Sequence, residues 1–140
     1  MATLDAHAHA AGLEITVLVV DDERAVRSVV HRSLRIQGYS VIEAADAAAA
    51  LTELGVSAGR IRVLITDDRM PGMSGRELAR IVARVYPAIR VILMSGDPAS
   101  GGTESEASMV LLPKPFSPQA LAATLRMALS DEPHGRTDAQ

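Results

Sequence analysis

The chain has 140 residues, a formal net charge of −3, 48% hydrophobic content and no cysteine. That suffices for one domain with a full-sized core, packed by aliphatic side chains because the aromatics are only two Tyr and one Phe. Disulfides and thiolate metal sites are excluded, no Lys/Arg face suggests nucleic acid, and no apolar run approaches the roughly 18 residues of a membrane span. Residues 1–14 also lack the basic and apolar parts of a signal peptide, so a cytoplasmic address is expected.

Residues 1–14 are Ala-rich and aperiodic, and read as a flexible tail; His7 and His9 are two ligands at most, a weak metal site. Residues 15–20 are apolar and mostly β-branched, as in a strand buried on both faces of a parallel sheet. Asp21, Asp22 and Glu23 follow directly, and then a helix with Val26, Val29, Val30 and Leu34 on one face, stopped by Gly38. His31 lies beside that face and reads as a surface histidine. Residues 39–43 form the second expected strand. Asp46 caps the next helix, with Ala47, Ala50, Leu51 and Leu54 inward and Gly55 at its end.

The third strand, 61–66, runs into Asp67 and Asp68 and then a Met-Pro-Gly turn. Ser74 with Glu77 is a capping box, followed by the apolar stripe Leu78, Ile81, Val82 and Val85 and closed by Pro87. Residues 90–95 are the fourth strand. The Gly-, Ser- and acid-rich stretch 96–108 holds at most a short helix, near 103–108. Residues 109–112 are the fifth strand. Pro113-Lys114-Pro115 is a rigid turn, Ser117 caps the last helix, and Leu121, Leu125 and Ala128 line it. Residues 131–140 are a polar tail. The expected organisation is a tail at 1–14, one domain at 15–130 and a tail at 131–140.

Strand and helix alternate five times, which predicts right-handed crossovers and a doubly wound five-stranded parallel sheet. Ligands of such sheets bind beyond the carboxyl ends of the strands. On that edge stand Asp21 and Asp22 after strand one, Asp67 after strand three, Ser95 after strand four and Lys114, the chain's only lysine, after strand five. Carboxylates crowded together raise each other's pKa unless a cation intervenes. Mg2+ suits them: Asp21, Asp22, Asp67 and the backbone carbonyl of Arg69 are the expected donors, with open positions for water and phosphate oxygens. Lys114 adds a point charge suited to phosphate, and Ser95 adds a hydroxyl. A carboxylate nucleophile so surrounded is equipped to accept a phosphoryl group as an acyl phosphate. Any one of these positions alone is more often a helix cap or a solvated side chain; their coincidence on one edge points to a site.

The segments VLVVDDE (17–23), LITDDRMPGMSG (64–75), ILMSG (92–96) and LPKPF (112–116), in this order and spacing, resemble the response-regulator receiver domain of two-component signalling. The resemblance covers about 15–129. It implies the flavodoxin-like (βα)5 fold, with the fourth helix short or degenerate here. Asp67, four residues before Pro71, matches the phosphoacceptor, and Asp21 and Asp22 match the Mg2+-binding acidic pair. Ser95 matches the hydroxyl that bonds the phosphoryl group, Gly96 the small residue that leaves access to it, and Lys114 the lysine that contacts it. The bond before Pro115 is expected to be cis. Leu111 departs from the family, which usually carries Tyr or Phe there as a rotating switch. Asp68 also departs, being commonly apolar; it is expected to point to solvent or repel a partner. Arg69 and Asp97 flank the phosphoryl position and are expected to pair across it.

The expected function is a stand-alone receiver, phosphorylated by a cognate histidine kinase or phosphotransfer protein. The chain ends one helix after Lys114, so output is expected through contact with a downstream protein target or through onward phosphotransfer, with no nucleic acid or membrane partner and a monomer or weak dimer as the oligomeric state. The only chemistry expected is self-phosphorylation and autodephosphorylation. The alternatives are the receiver part of a hybrid histidine kinase and a receiver-like interaction module without phosphate switching. A Mg2+-dependent phosphohydrolase is disfavoured because Arg69 stands where a second carboxylate is wanted.

Overall fold

A computed structural model of the chain describes residues 14–96 and 109–130. Among these are five strands and four helices: β1 (Thr16–Val20), α1 (Arg24–Ile36), β2 (Ser40–Ala44), α2 (Ala47–Ser57), β3 (Ile61–Asp67), α3 (Gly75–Val85), β4 (Arg90–Ser95), β5 (Met109–Pro113) and α4 (Pro118–Ser130). The strands form one sheet in the order β2-β1-β3-β4-β5, every pairing parallel. The doubly wound sheet expected from the sequence is therefore the fold. The expected tails, His7, His9, the short helix near 103–108 and Asp97 lie outside the described residues.

Alternation along the strands splits the core in two. Leu18, Val20, Leu64 and Val91 pack with Ala47, Ala50 and Leu54 of α2 and Leu78, Ala79 and Val82 of α3. Val17, Val19, Val63, Ile65, Ile92 and Met94 face the other way, onto Val30 and Leu34 of α1 and Leu121, Leu125 and Ala128 of α4. With both faces covered, the central strands can be apolar at nearly every position.

Local chemistry sets the helix ends. Asp46 accepts from the Ala49 amide at 2.8 Å, Ser117 accepts from that of Ala120 at 3.0 Å, and Ser74 and Glu77 form the reciprocal capping box. Each such cap contributes about 1 kcal/mol. Gly38, at φ +99°, ends α1 in the left-handed region. Three expectations are corrected. Val29 is 66% exposed, because the buried stripe of α1 follows Val26, Val30 and Leu34, and one residue of offset turns a side chain by about 100°. Val85 is also exposed, at the last turn of α3. Gly55 does not end α2, which continues to Ser57; an exposed helical glycine costs only about 1 kcal/mol.

Candidate functional site

The strand order reverses between β1 and β3, so their carboxyl ends lie side by side with the crossovers leaving in opposite directions. Asp21 and Asp22 follow β1 and Asp67 closes β3. One carboxylate oxygen from each lies within 4.8 Å of the others. Asp21 is fully buried, Asp67 is 7% exposed and Asp22 is exposed. From β5, Lys114 Nζ donates to Asp67 Oδ1 at 2.8 Å and stands 4.0 Å from Asp21 Oδ2. Ser95 is buried at the end of β4, where its carbonyl accepts from the Lys114 amide at 2.8 Å. The Lys114–Pro115 peptide is cis. A cavity of about 380 Å³ is lined by Asp67, Asp68, Arg69, Ser95, Gly96 and Lys114. Four of the five strand ends thus meet at one place.

The charges are not balanced within this cluster. Burial raises the Asp21 carboxyl above its ordinary range, the Glu23 amide opposes that shift, and the neighbouring Asp67 charge adds to it. Asp21 Oδ1 accepts from the Glu23 amide at 2.9 Å, while the buried Oδ2 has no hydrogen-bond partner. Burial pulls the Lys114 ammonium down, but the hydrogen bond and charge of Asp67 and the charge of Asp21 outweigh it and leave its pKa raised. A buried carboxylate oxygen without a donor, beside two more carboxylates and a single ammonium, fits a hard divalent cation with oxygen ligands.

One feature departs from what the sequence suggested. Asp68 is not simply turned to solvent: it is half-buried, and its Oδ2 lies 3.4 Å from Arg76 Nη2 of α3. His31 lies at the surface as expected, and its Nδ1 is 2.6 Å from Glu43 Oε2. Leu111 lies on β5 opposite Leu93 and is 37% exposed, an aliphatic side chain with no ring to rotate.

One site residue escaped the sequence reading. Gly75 opens α3 directly against the end of β3: a Cβ there would lie 1.7 Å from the carbonyl oxygen of Asp67. Its amide donates to the Asp68 carbonyl at 2.9 Å. The available signal was a glycine in the first helical position after a strong cap, where helix propensity alone does not call for one.

The sequence model of the response regulator receiver domain matches residues 17–126. The sensor kinase CckA of Brucella abortus is 37% identical over 120 residues, covering 84% of this chain and 13% of that kinase. A response regulator receiver domain protein from Clostridium thermocellum superposes with a TM-score of 0.77 at 27% identity, covering 83% of this chain and 94% of that one. The response regulator TrrA of Thermotoga maritima, solved in complex with Mg2+–BeF, gives 0.74 at 25% identity, with 81% and 98% covered. The chain spans 13% of the length of CckA and 51% of that of the response regulator MprA of Mycobacterium bovis, so it matches only part of these curated relatives. Fold, matched length and the meeting of strand-end carboxylates agree, and the chain belongs to the response-regulator receiver family of two-component signalling.

Proposed function

We propose that this chain is a cytoplasmic phosphoacceptor receiver in which Asp67 takes a phosphoryl group from the phosphohistidine of a histidine kinase or phosphotransfer protein. The observation that carries the reading is the buried Asp67 within 4.8 Å of Asp21 and Asp22 and hydrogen-bonded to Lys114. An Asp67 carboxylate oxygen attacks phosphorus, the phosphorus–nitrogen bond breaks, and its electron pair leaves on the imidazole, which takes up a proton. The product is an acyl phosphate. Asp21, Asp22, Asp67 and the Arg69 carbonyl would hold Mg2+. When bound, it neutralises the carboxylates and the charge developing on the phosphoryl oxygens. Lys114 supplies the remaining positive charge from the β5 side, Ser95 offers its hydroxyl to a phosphoryl oxygen, and Gly96 leaves the approach open. The Mg2+–BeF complex of TrrA supports this assignment of the acidic edge.

The only chemistry in this reading is on the chain itself: phosphorylation and its hydrolysis. Its partners are proteins, the phosphodonor and a downstream target, with nucleic acid and membrane playing no part. A second reading, the receiver segment of a hybrid histidine kinase, is favoured by the 37% identity to the sensor kinase CckA. It uses the same site and differs only in what the receiver is joined to. Since Leu111 has no ring or hydroxyl to exchange partners, phosphorylation would be transmitted by other residues at the Ser95 and Gly96 end.

Incubation with a small phosphodonor and Mg2+ is the test. Acid-stable, hydroxylamine-labile label on the wild type, absent with chelator and absent in Asp67→Asn, is expected. A wild type that takes no label favours a receiver-shaped interaction module instead, and equal label on Asp67→Asn removes the assignment. A phosphotransfer profile against purified histidine kinases then identifies the donor.

A further inference from the structure

Arg27 joins α1, β2 and the acidic edge at one point. Its Nη1 donates to the carbonyl oxygen of Asp21 at 2.8 Å, and its Nε donates to Glu43 Oε1 on β2 at 3.0 Å. Glu43 is gripped from a second side by His31, 2.6 Å from its Oε2. The two bonds to Glu43, with the charges of His31 and Arg27, overcome its partial burial and hold its carboxyl below the ordinary range. The Arg27 side chain is 15% exposed, far from the solvated state usual for arginine on a surface helix.

Asp21 sits one residue past the end of β1, where the strand ladder no longer defines the main chain. Its amide donates to the Ala44 carbonyl at 3.2 Å, and its carbonyl is held by Arg27. Its Oδ1 is fixed by the Glu23 amide, leaving the buried Oδ2 without a hydrogen-bond donor and with Lys114 Nζ 4.0 Å away. We propose that Arg27, braced by Glu43 and His31, is a positioning residue that fixes the Asp21 peptide and so sets the cation affinity of the acidic edge. The proposal rests on Asp21, Asp22 and Asp67 being the cation site.

A surface ion pair between α1 and β2 would contribute little and would have no bearing on the site. What separates Arg27 from such a pair is its second donor, spent on the main chain of a candidate ligand. Groups that orient metal ligands from outside typically change metal affinity by about 10–100-fold when removed. Only a planar fork can serve Glu43 and the Asp21 carbonyl together; a lysine ammonium has the charge but not the geometry.

Calorimetric titration of Mg2+ into the full chain tests this, with Asp22→Ala as the marker that the heat reports this site. Arg27→Gln is expected to weaken Mg2+ about tenfold. Glu43→Gln is expected to weaken it by a smaller factor, and to add nothing further once Arg27→Gln is present, because Glu43 acts through Arg27. Arg27→Lys is expected not to restore the affinity. The gain in Tm from Mg2+ over chelator is read for each variant, since that difference cancels a general loss of stability. Should Arg27→Gln fold poorly, Glu43→Gln alone carries the test. Unchanged Mg2+ affinity in Arg27→Gln (or, in that case, in Glu43→Gln) while Asp22→Ala abolishes binding overturns the positioning role, as does full rescue by Arg27→Lys. A wild type that takes up no Mg2+ overturns the cation site itself, and the inference with it.

Discussion

Gly75→Ala is expected to destabilise the chain by about 4 kcal/mol or more, an effect in the exceptional class for a single methyl group. The added Cβ would lie 1.7 Å from the Asp67 carbonyl oxygen, 2.7 Å from its carbonyl carbon and 3.0 Å from Thr66 Oγ1. Two of these three atoms are backbone, so no rotamer change relieves the overlap. Either the start of α3 lifts off the sheet or the end of β3 gives way. Thr66 Oγ1 already donates to that same carbonyl at 3.0 Å, and the Gly75 amide to the next one along, so both movements break hydrogen bonds in a dry region. Urea denaturation followed by far-UV circular dichroism measures the loss. Because the displaced strand end carries Asp67, any folded fraction is also expected to accept phosphate poorly. A midpoint equal to wild type would show that α3 and β3 are less closely joined than described.

The second large effect has opposite signs for stability and function. Asp21→Asn is expected to stabilise the metal-free chain by about 1 kcal/mol and to abolish tight Mg2+ binding. The Asp21 carboxyl is fully buried, and burial chiefly raises its pKa, with Asp67 and Asp22 adding to the shift. A carboxyl raised in the folded state stabilises the fold only while protonated. That contribution is complete below the ordinary value of 3.8 and is lost as pH rises through the folded-state value. At neutral pH the Asp21 carboxyl therefore costs stability, and asparagine keeps its shape and its acceptor for the Glu23 amide without a group that must ionise. Thermal denaturation in chelator at neutral and acid pH checks the sign: the advantage of the variant should shrink as pH falls toward the carboxylate range. Adding Mg2+ should raise the wild-type Tm and leave the variant unmoved. A variant less stable than wild type at neutral pH would show that the Asp21 charge is already compensated without a cation.

The parts of the site readable from sequence share one property: each is a polar residue that ends an apolar strand. Asp21, Asp22, Asp67, Ser95 and Lys114 could be assigned to one edge before any coordinates, because a doubly wound sheet sends every strand end to the same side. Gly75 could not, since its need for hydrogen in place of a side chain arises only where α3 meets β3. Arg27 and His31 lie on α1 but Glu43 lies on β2, and no local period links a helix residue to a strand residue 16 positions away. Asp68 was legible as a charge but not as a partner of Arg76, because the turn between them decides whether they meet. Val29 shows the limit for helices: apolar composition fixed the stripe of α1 to within one residue, and one residue is enough to turn a valine from core to surface.

The identity of the acceptor is the central claim, and trapping its covalent product tests it most directly. The chain is treated with a small phosphodonor and Mg2+, reduced with borohydride, which converts an aspartyl phosphate to homoserine, and mapped by peptide mass spectrometry. Conversion confined to Asp67, and absent when Mg2+ is withheld, is the expected result. Conversion at Asp68, Asp21 or Asp22 with Asp67 intact, or none at any of them under conditions in which the fold is retained, would contradict it.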